Sequence, residues 1–188
     1  MPKFKSLLSQ LNIDIEHKSK KWLEVKNEIK SIEKFLKSRT QNLITLSPLK
    51  KFIDKEINFE ISISLCSNSQ IKKINQQFRN IDKPTNVLSF GNLDEKIIQE
   101  ASTKEIGLKK AIGASKYVFL GDIIFGYEYI KSEAKKDSKN FNDHLTHLLL
   151  HGILHLIGFD HENHKMAEEM ENLEIKILQQ LNINNPYK

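Results

Sequence analysis

The chain has 188 residues, of which 39% are hydrophobic and 28% are charged, and this size and composition favour a single globular domain. A lone cysteine, Cys66, excludes an internal disulfide framework and a zinc site built from cysteines. No apolar run approaches the roughly eighteen residues of a membrane-spanning helix, and the N-terminus lacks the apolar segment of a secretory signal. We therefore expect a cytoplasmic protein with no membrane partner.

The charge balance favours a polyanionic partner, but only weakly. The formal net charge is +5 at pH 7, which suits a partner such as RNA, although many basic proteins bind no nucleic acid. Only Arg39 and Arg79 among the 29 basic residues are arginines. Because a guanidinium group can hold a phosphate through two parallel hydrogen bonds and an ammonium group cannot, an arginine beside a motif is a candidate phosphate contact.

The first third of the chain predicts a strand, a helix and a second strand. Residues 11–15 alternate apolar and polar side chains, as in a short strand. Residues 18–37 predict a helix with one apolar face, which consists of Trp22, Val25, Ile29, Ile32 and Leu36. After a break near Ser47 and Pro48, residues 58–65 alternate with a period of two. This alternation predicts a strand whose buried side is Phe59, Ile61, Ile63 and Leu65.

The middle of the chain predicts one helix, a long loop and a central strand. Ser67 can cap a helix that contains Ile71, Ile74 and Phe78 and that brings Arg79 to its end. Between residues 91 and 116 no periodic pattern is strong, which predicts a mobile loop with room for one helical turn. Residues 117–126 are apolar apart from one aspartate, as in a strand that is covered on both faces.

The last third predicts three helices. The first spans residues 127–139, and the second spans residues 143–157 with Asn142 or Asp143 as its cap. The third is amphipathic, with its apolar face at Met166, Met170, Leu173 and Ile177. The second is the most apolar and should be buried. Strands mixed with helices in a chain of this size predict a small mixed sheet layered against helices.

The segment HGILHLIGFDH, which begins at residue 151, is the strongest functional signal. His151 and His155 are four residues apart and therefore lie on one face of a helix, one turn from each other. Gly158 can end the helix and let the chain bring His161 back to the same point. Three neutral imidazoles that leave a fourth position for water are typical of a catalytic zinc site.

His144 and His147 lie near the same helical face and offer an alternative. A set of three ligands on a straight helix, such as His147, His151 and His155, would span about 12 Å, too far for one ion. His161 is therefore the better third ligand, and we expect His147 to be a core residue or a partner of a ligand. Asp160 could orient a ligand imidazole or accept hydrogen bonds in the turn, and we favour the turn.

The residue after the first histidine separates two kinds of chemistry. Zinc proteases of the HExxH type have a glutamate there as general base, whereas this chain has Gly152. A phosphodiester substrate fits the basic charge and Arg79 better, because a metal and a guanidinium group can both stabilise charge on phosphate oxygens. Alternatively, Arg79 could form an ion pair with Asp82 or Asp122.

Several segments together resemble the YbeY family of bacterial ribosomal RNA maturation factors. They are HGILHLIGFDH, NQQFRNIDKPTNVLSF from residue 75, LGDI from residue 120 and the closing EEMENLEIKIL. The resemblance covers residues 57 to 188 in the same order. It implies that His151, His155 and His161 bind one zinc ion and that Arg79 is catalytic or contacts RNA phosphate.

The resemblance also implies a fold and a function. The expected fold is α+β, with a four-stranded mixed sheet packed against several helices and a distant likeness to metalloproteases. The expected activity is zinc-dependent cleavage of single-stranded RNA, in 16S ribosomal RNA 3′-end maturation and ribosome quality control, with the small ribosomal subunit as partner. We expect one domain over residues 1–188, with a divergent region at 1–56 and the family core at 57–188.

The chain departs from the family pattern at four places: a longer N-terminal region, Gly91 in place of a frequent proline, Phe159 in place of a frequent tyrosine, and an extended stretch between residues 93 and 116. None involves an expected ligand. Two further hypotheses remain open. One is a ribosome-assembly protein that uses the metal only to stabilise its fold, and the other is a metalloprotease.

Overall fold

A computed structural model describes residues 10–27, 31–53 and 57–188. Within them the strands are β1 (Leu11–His17), β2 (Asn58–Cys66), β3 (Val87–Gly91) and β4 (Tyr117–Gly126). A 3₁₀ helix spans Lys20–Asn27. The α-helices are α1 (Ile32–Leu46), α2 (Lys50–Ile53), α3 (Asn68–Arg79), α4 (Glu95–Gln99), α5 (Lys104–Ile112), α6 (Tyr127–Lys136), α7 (Phe141–Leu156) and α8 (His164–Gln180). None of these helices is long and apolar enough to cross a membrane.

The four strands form one mixed sheet in the order β1-β2-β4-β3. β1, β2 and β4 are parallel, and β3 runs antiparallel to β4 at the edge. Alternate β2 side chains, from Phe59 to Leu65, are fully buried, which confirms the predicted period of two. The predicted α+β class with a four-stranded mixed sheet is therefore confirmed.

The apolar helix α7 packs against the sheet and carries two of the three predicted ligands, His151 and His155. Its residues Leu149, Leu150 and Ile153 are fully buried. A Cβ atom at Gly152 would lie 3.1 Å from the Ile123 side chain, so the helix packs closely on β4. The predicted burial is confirmed, but the predicted cap is wrong. The side chain of Asn140 caps α7 by accepting the N–H groups of residues 142 and 143, which lie within the first turn.

The N-terminal region has more elements than predicted. In place of one helix over residues 18–37, the chain forms the 3₁₀ helix and then α1, whose first turn is capped by Ser31. Trp22 and Leu36 are fully buried, as the predicted apolar face requires. The side chains of Val25 and Ile29 lie outside the described residues.

The stretch from residue 91 to residue 116 is not the predicted loop. Asp94 caps α4 and Thr103 caps α5, and each side chain accepts a backbone N–H of the first turn. Ile98 and Leu108 are buried in the main core. The prediction was wrong because helices of only five and nine residues contain too few apolar residues to show a 3.6-residue period.

Candidate metal centre

His151, His155 and His161 lie at one point, as the spacing predicts. Each offers a ring nitrogen, and these three nitrogens lie within 4.8 Å of one another. The Nε2 atoms of His151 and His155 are 3.0 Å apart. The ring centroid of His161 lies 5.0 Å from that of His155 and 5.4 Å from that of His151.

A glycine-dependent turn brings His161 to the other two histidines. Gly158 has a φ of +80°, which side-chain-bearing residues rarely adopt. Its N–H bonds the His155 carbonyl at 3.0 Å, and the N–H of Phe159 bonds the Leu154 carbonyl at 3.0 Å. This pair of hydrogen bonds is a Schellman motif, which ends α7 and reverses the chain. The predicted role of Gly158 is confirmed.

Glu174 of α8 determines which nitrogen of His151 faces the cluster. Its side chain is fully buried and accepts hydrogen bonds from His151 Nδ1 at 2.9 Å and His147 Nε2 at 3.2 Å. Burial would raise the pKa of Glu174, but the hydrogen bonds from the two histidines lower it to about 2. Since a carboxylate only accepts, Nδ1 of His151 carries a hydrogen and donates it to Glu174, and Nε2 is the nitrogen that faces the cluster.

Tyr187 also contacts this carboxylate. Its hydroxyl donates a hydrogen bond to Glu174. Burial, together with the carboxylate, raises the pKa of Tyr187, so the phenol remains protonated and can donate. Glu174 is thus surrounded by three donors, which compensate for the burial of its charge.

His155 is held neutral, with its Nε2 atom toward the cluster. Burial, reinforced by the neighbouring His151 and His161, lowers the pKa of His155 to about 4. Its ring also makes a hydrogen bond with the backbone of Phe159, and its Nδ1 lies 3.9 Å from the Asp160 carboxylate. Asp160 itself accepts the N–H of His161 at 2.8 Å, the turn contact favoured from the sequence.

The donor set fits a zinc ion. The Nε2 atoms of His151 and His155 are 3.0 Å apart, close enough for both to bind one ion. Four ligands at the usual Zn–N distance of 2.0–2.1 Å are separated by about 3.3 Å in a tetrahedron, close to the distance found. Neutral imidazoles are the state that coordination requires.

Arg79 and the three histidines line one cavity of about 360 Å³. Arg79 ends α3, directly before Asn80, which has a φ of 57°. The alternative ion pairs are not formed: Asp82 bonds Lys72 at 3.2 Å, and within the described part of the chain Arg79 has no ion-pair partner. No carboxylate among the described residues therefore neutralises the guanidinium charge.

Four residues at the site are not predicted from the sequence: Glu174 and Tyr187 behind the cluster, and Glu95 and Gln99 of α4, which line the cavity. A signal for Glu174 existed. It lies four residues after Met170 and three before Ile177, on the buried side of α8, where an acidic residue needs a specific partner. The other three residues stand in no comparable pattern.

The position that holds the general base of HExxH proteases has no room for a side chain. A side chain at Gly152 would meet Ile123 at 3.1 Å and the Ser89 hydroxyl at 3.2 Å, on the sheet side of α7. No carboxylate could occupy this position without displacing the sheet. This packing weighs against the metalloprotease hypothesis.

Three histidines that leave a position for water are typical of a metal-dependent hydrolase, and an arginine on the same cavity wall suits a phosphate-containing substrate. A model of the family described as Endoribonuclease YbeY matches residues 21–182, and the chain belongs to this family. It is a family of hydrolytic nucleases that act on RNA.

Individual proteins agree with the family match. The chain is 46% identical over 128 residues to Endoribonuclease YbeY of Francisella philomiragia. This alignment covers 68% of the present chain and 73% of the Francisella protein. It is 44% identical over 128 residues to Endoribonuclease YbeY of Francisella tularensis subsp. novicida, with 68% and 71% covered. The solution structure of TM1509 from Thermotoga maritima matches the fold, with a TM-score of 0.50, 24% identity, and 90% and 91% of the two chains covered.

Proposed function

We propose that this protein is a zinc-dependent endoribonuclease that cleaves single-stranded RNA. His151, His155 and His161 hold one zinc ion per chain, and Arg79 binds the phosphate at the cleavage site. The observation that carries this proposal is the convergence of three imidazoles, two of them with Nε2 atoms 3.0 Å apart, in the cavity that Arg79 also lines.

The chain's own residues prepare the site. Glu174 fixes His151 with Nε2 toward the cluster, and the Gly158 turn holds His155 and His161 on the other side. When bound, zinc would polarise a phosphoryl oxygen and make water acidic enough to attack at neutral pH.

Arg79 supplies the second positive group. Its planar guanidinium can form two parallel hydrogen bonds with phosphate oxygens, and no carboxylate within the described residues competes for it. Phosphoryl transfer depends mainly on positioning and on stabilisation of charge at these oxygens. The arginine therefore orients the phosphate and stabilises the transition state.

The biological role rests on the family. We propose that the RNA is the 16S ribosomal RNA, in 3′-end maturation and ribosome quality control, with the small ribosomal subunit as partner in the cytoplasm. The net charge of +5 is compatible with a polyanionic substrate.

We also propose that residues 1–188 form one domain. Leu11 of β1 and Leu36 of α1 lie before the family motifs, yet both belong to the main core cluster together with Ile177 of α8. Residues on both sides of position 57 thus share one core.

The test compares the two arginines of the chain. Arg79→Ala should lower cleavage of a fluorescent single-stranded RNA by about 10²- to 10³-fold, the usual effect of losing one transition-state donor, with zinc content unchanged. Arg39→Ala is the matched control, since Arg39 lies on α1 with its guanidinium over Phe35. It should retain full activity.

The same assay separates the alternatives. Equal cleavage by both variants would remove Arg79 from the mechanism. A zinc-loaded protein that cleaves no RNA, and that unfolds when zinc is chelated, would favour the assembly-protein hypothesis. Hydrolysis of peptides but not of RNA would favour a protease.

A further inference from the structure

The helix pair α4–α5 packs against the turn that carries the third histidine. Ile98 of α4 is only 1% exposed, and a Cβ atom at Gly158 would lie 2.8 Å from its Cγ2 atom. On its other side, a Cβ atom at Gly107 of α5 would lie 2.6 Å from the Ile98 Cα. Ile98 is therefore enclosed between α5 and the turn.

Lys104, the first residue of α5, makes a polar contact with the same turn. Its Nζ donates a hydrogen bond to the Gly158 carbonyl. The same atom lies 5.5 Å from the ring centroid of Phe159, within the range of a cation–π contact. One partly buried ammonium group thus contacts two consecutive residues of the turn, one through its backbone and one through its ring.

This turn serves two of the three histidines. The backbone of Phe159 makes a hydrogen bond with the His155 ring, and Asp160 accepts the N–H of His161. His151 is held from the opposite side by Glu174. A displacement of residues 158–160 would therefore move His155 and His161 relative to His151.

We propose that the α4–α5 pair clamps residues 158–160, with Lys104 as the positioning residue that sets His155 and His161 in place for metal binding. This inference rests on the proposed metal site and adds to it a residue 47 positions before the nearest proposed histidine ligand, His151. A turn held in its binding geometry loses less conformational freedom when the ion binds, so the clamp raises metal affinity.

The test uses zinc and cobalt binding to the full-length protein rather than activity. Lys104→Met keeps the aliphatic stem and removes the ammonium group, and Lys109→Met makes the same change at an exposed position of α5. We expect Lys104→Met to weaken zinc affinity about tenfold in competition with a chromogenic chelator, an effect typical of groups that hold metal ligands in place. The visible absorption of the Co²⁺ form should also change.

Two comparisons decide the outcome. Lys104→Arg, whose guanidinium group can donate to the same carbonyl, should restore most of the affinity, and Lys109→Met should match the wild type. Lys104→Met could instead shift only the urea midpoint of the metal-free protein, with the zinc affinity and Co²⁺ spectrum of Lys109→Met. That result would contradict the proposal that Lys104 positions the turn for metal binding. Wild-type protein that binds no zinc would instead defeat the proposed function itself.

Discussion

The two halves of α7 carry two pairs of histidines with nearly the same spacing but different surroundings. His144 and His147 are three residues apart in the first half, and His151 and His155 are four residues apart in the second. His144 Nε2 lies 3.1 Å from Glu133, and His147 Nε2 lies 3.2 Å from Glu174. In the first half, therefore, the outer nitrogen of each ring is already occupied by a carboxylate.

In the second half the same nitrogen stays available. His151 binds Glu174 through Nδ1 and keeps Nε2 for the cluster, where it meets Nε2 of His155. Similar helical spacing therefore leaves the two pairs in different states. Under the proposed ligand set, the difference between His147 and His151 is the ring nitrogen that Glu174 binds.

The largest expected effect, on zinc binding and RNA cleavage, comes from replacing one histidine of each half with alanine. His151→Ala should lose its stoichiometric zinc and lower RNA cleavage more than about 100-fold, because a ligand contributes more than the groups that orient it. His144→Ala should keep both, and should lose about 1–3 kcal/mol of unfolding free energy because a buried partner of Glu133 is removed. Elemental analysis, an RNA cleavage assay and urea unfolding measure these quantities.

The two variants would contradict the expected difference between the halves if they had equal zinc contents or if only His144→Ala lost its zinc. Zinc retained by His151→Ala at the wild-type level, or lost from His144→Ala while that variant remains folded, would contradict the division of α7 into two halves.

A smaller effect is expected at the carboxylate that the two halves share. Glu174→Gln keeps the size of the side chain but removes its charge and one acceptor oxygen, so the orientation of His151 is less well fixed. We expect zinc affinity to fall by about 10- to 100-fold. Glu171→Gln, on the exposed side of α8, is the control and should bind zinc as the wild type does. Equal affinity in the two variants would show that Glu174 does not position His151.

The smallest effect concerns the acid stability of the first half. Burial raises the pKa of Glu133, but hydrogen bonds from His144 and Asn86 outweigh burial and hold it below the ordinary value of 4.5. A carboxyl group with a lowered pKa stabilises the fold above that ordinary value, and this contribution is lost as the pH falls below it. The urea midpoint of the wild type should therefore fall more steeply below pH 4.5 than that of Glu133→Gln. Parallel plots of urea midpoint against pH for the two proteins would show that Glu133 does not contribute to stability above pH 4.5.

The sequence predicted those parts of the fold that depend on strong local patterns. The alternation in β2 and the apolar character of α7 arise from burial on one or both faces, which a sequence records directly. The three histidines and the role of Gly158 were predictable for a similar reason. Helical spacing fixes the first two rings, and only glycine readily adopts the backbone angle of the turn.

The rest depends on contacts between distant segments. Glu174 lies 23 residues after His151, and its hydrogen bond chooses between two nitrogens that the sequence cannot distinguish. The apolar residues of α4 and α5 show only weak helical periodicity. Lys104 of α5 contacts Gly158, which lies 54 residues later in the chain. The cap of α7 was misplaced because three neighbouring residues, at 140, 142 and 143, all have side chains that can cap a helix.

X-ray absorption at the zinc edge of the zinc-loaded protein tests the central claim most directly. We expect three imidazole nitrogens at about 2.0–2.1 Å from the zinc, with one or more non-protein oxygen ligands, and the same spectrum for His144→Ala. A shell with fewer than three imidazoles, or one that changes in His144→Ala, would contradict it.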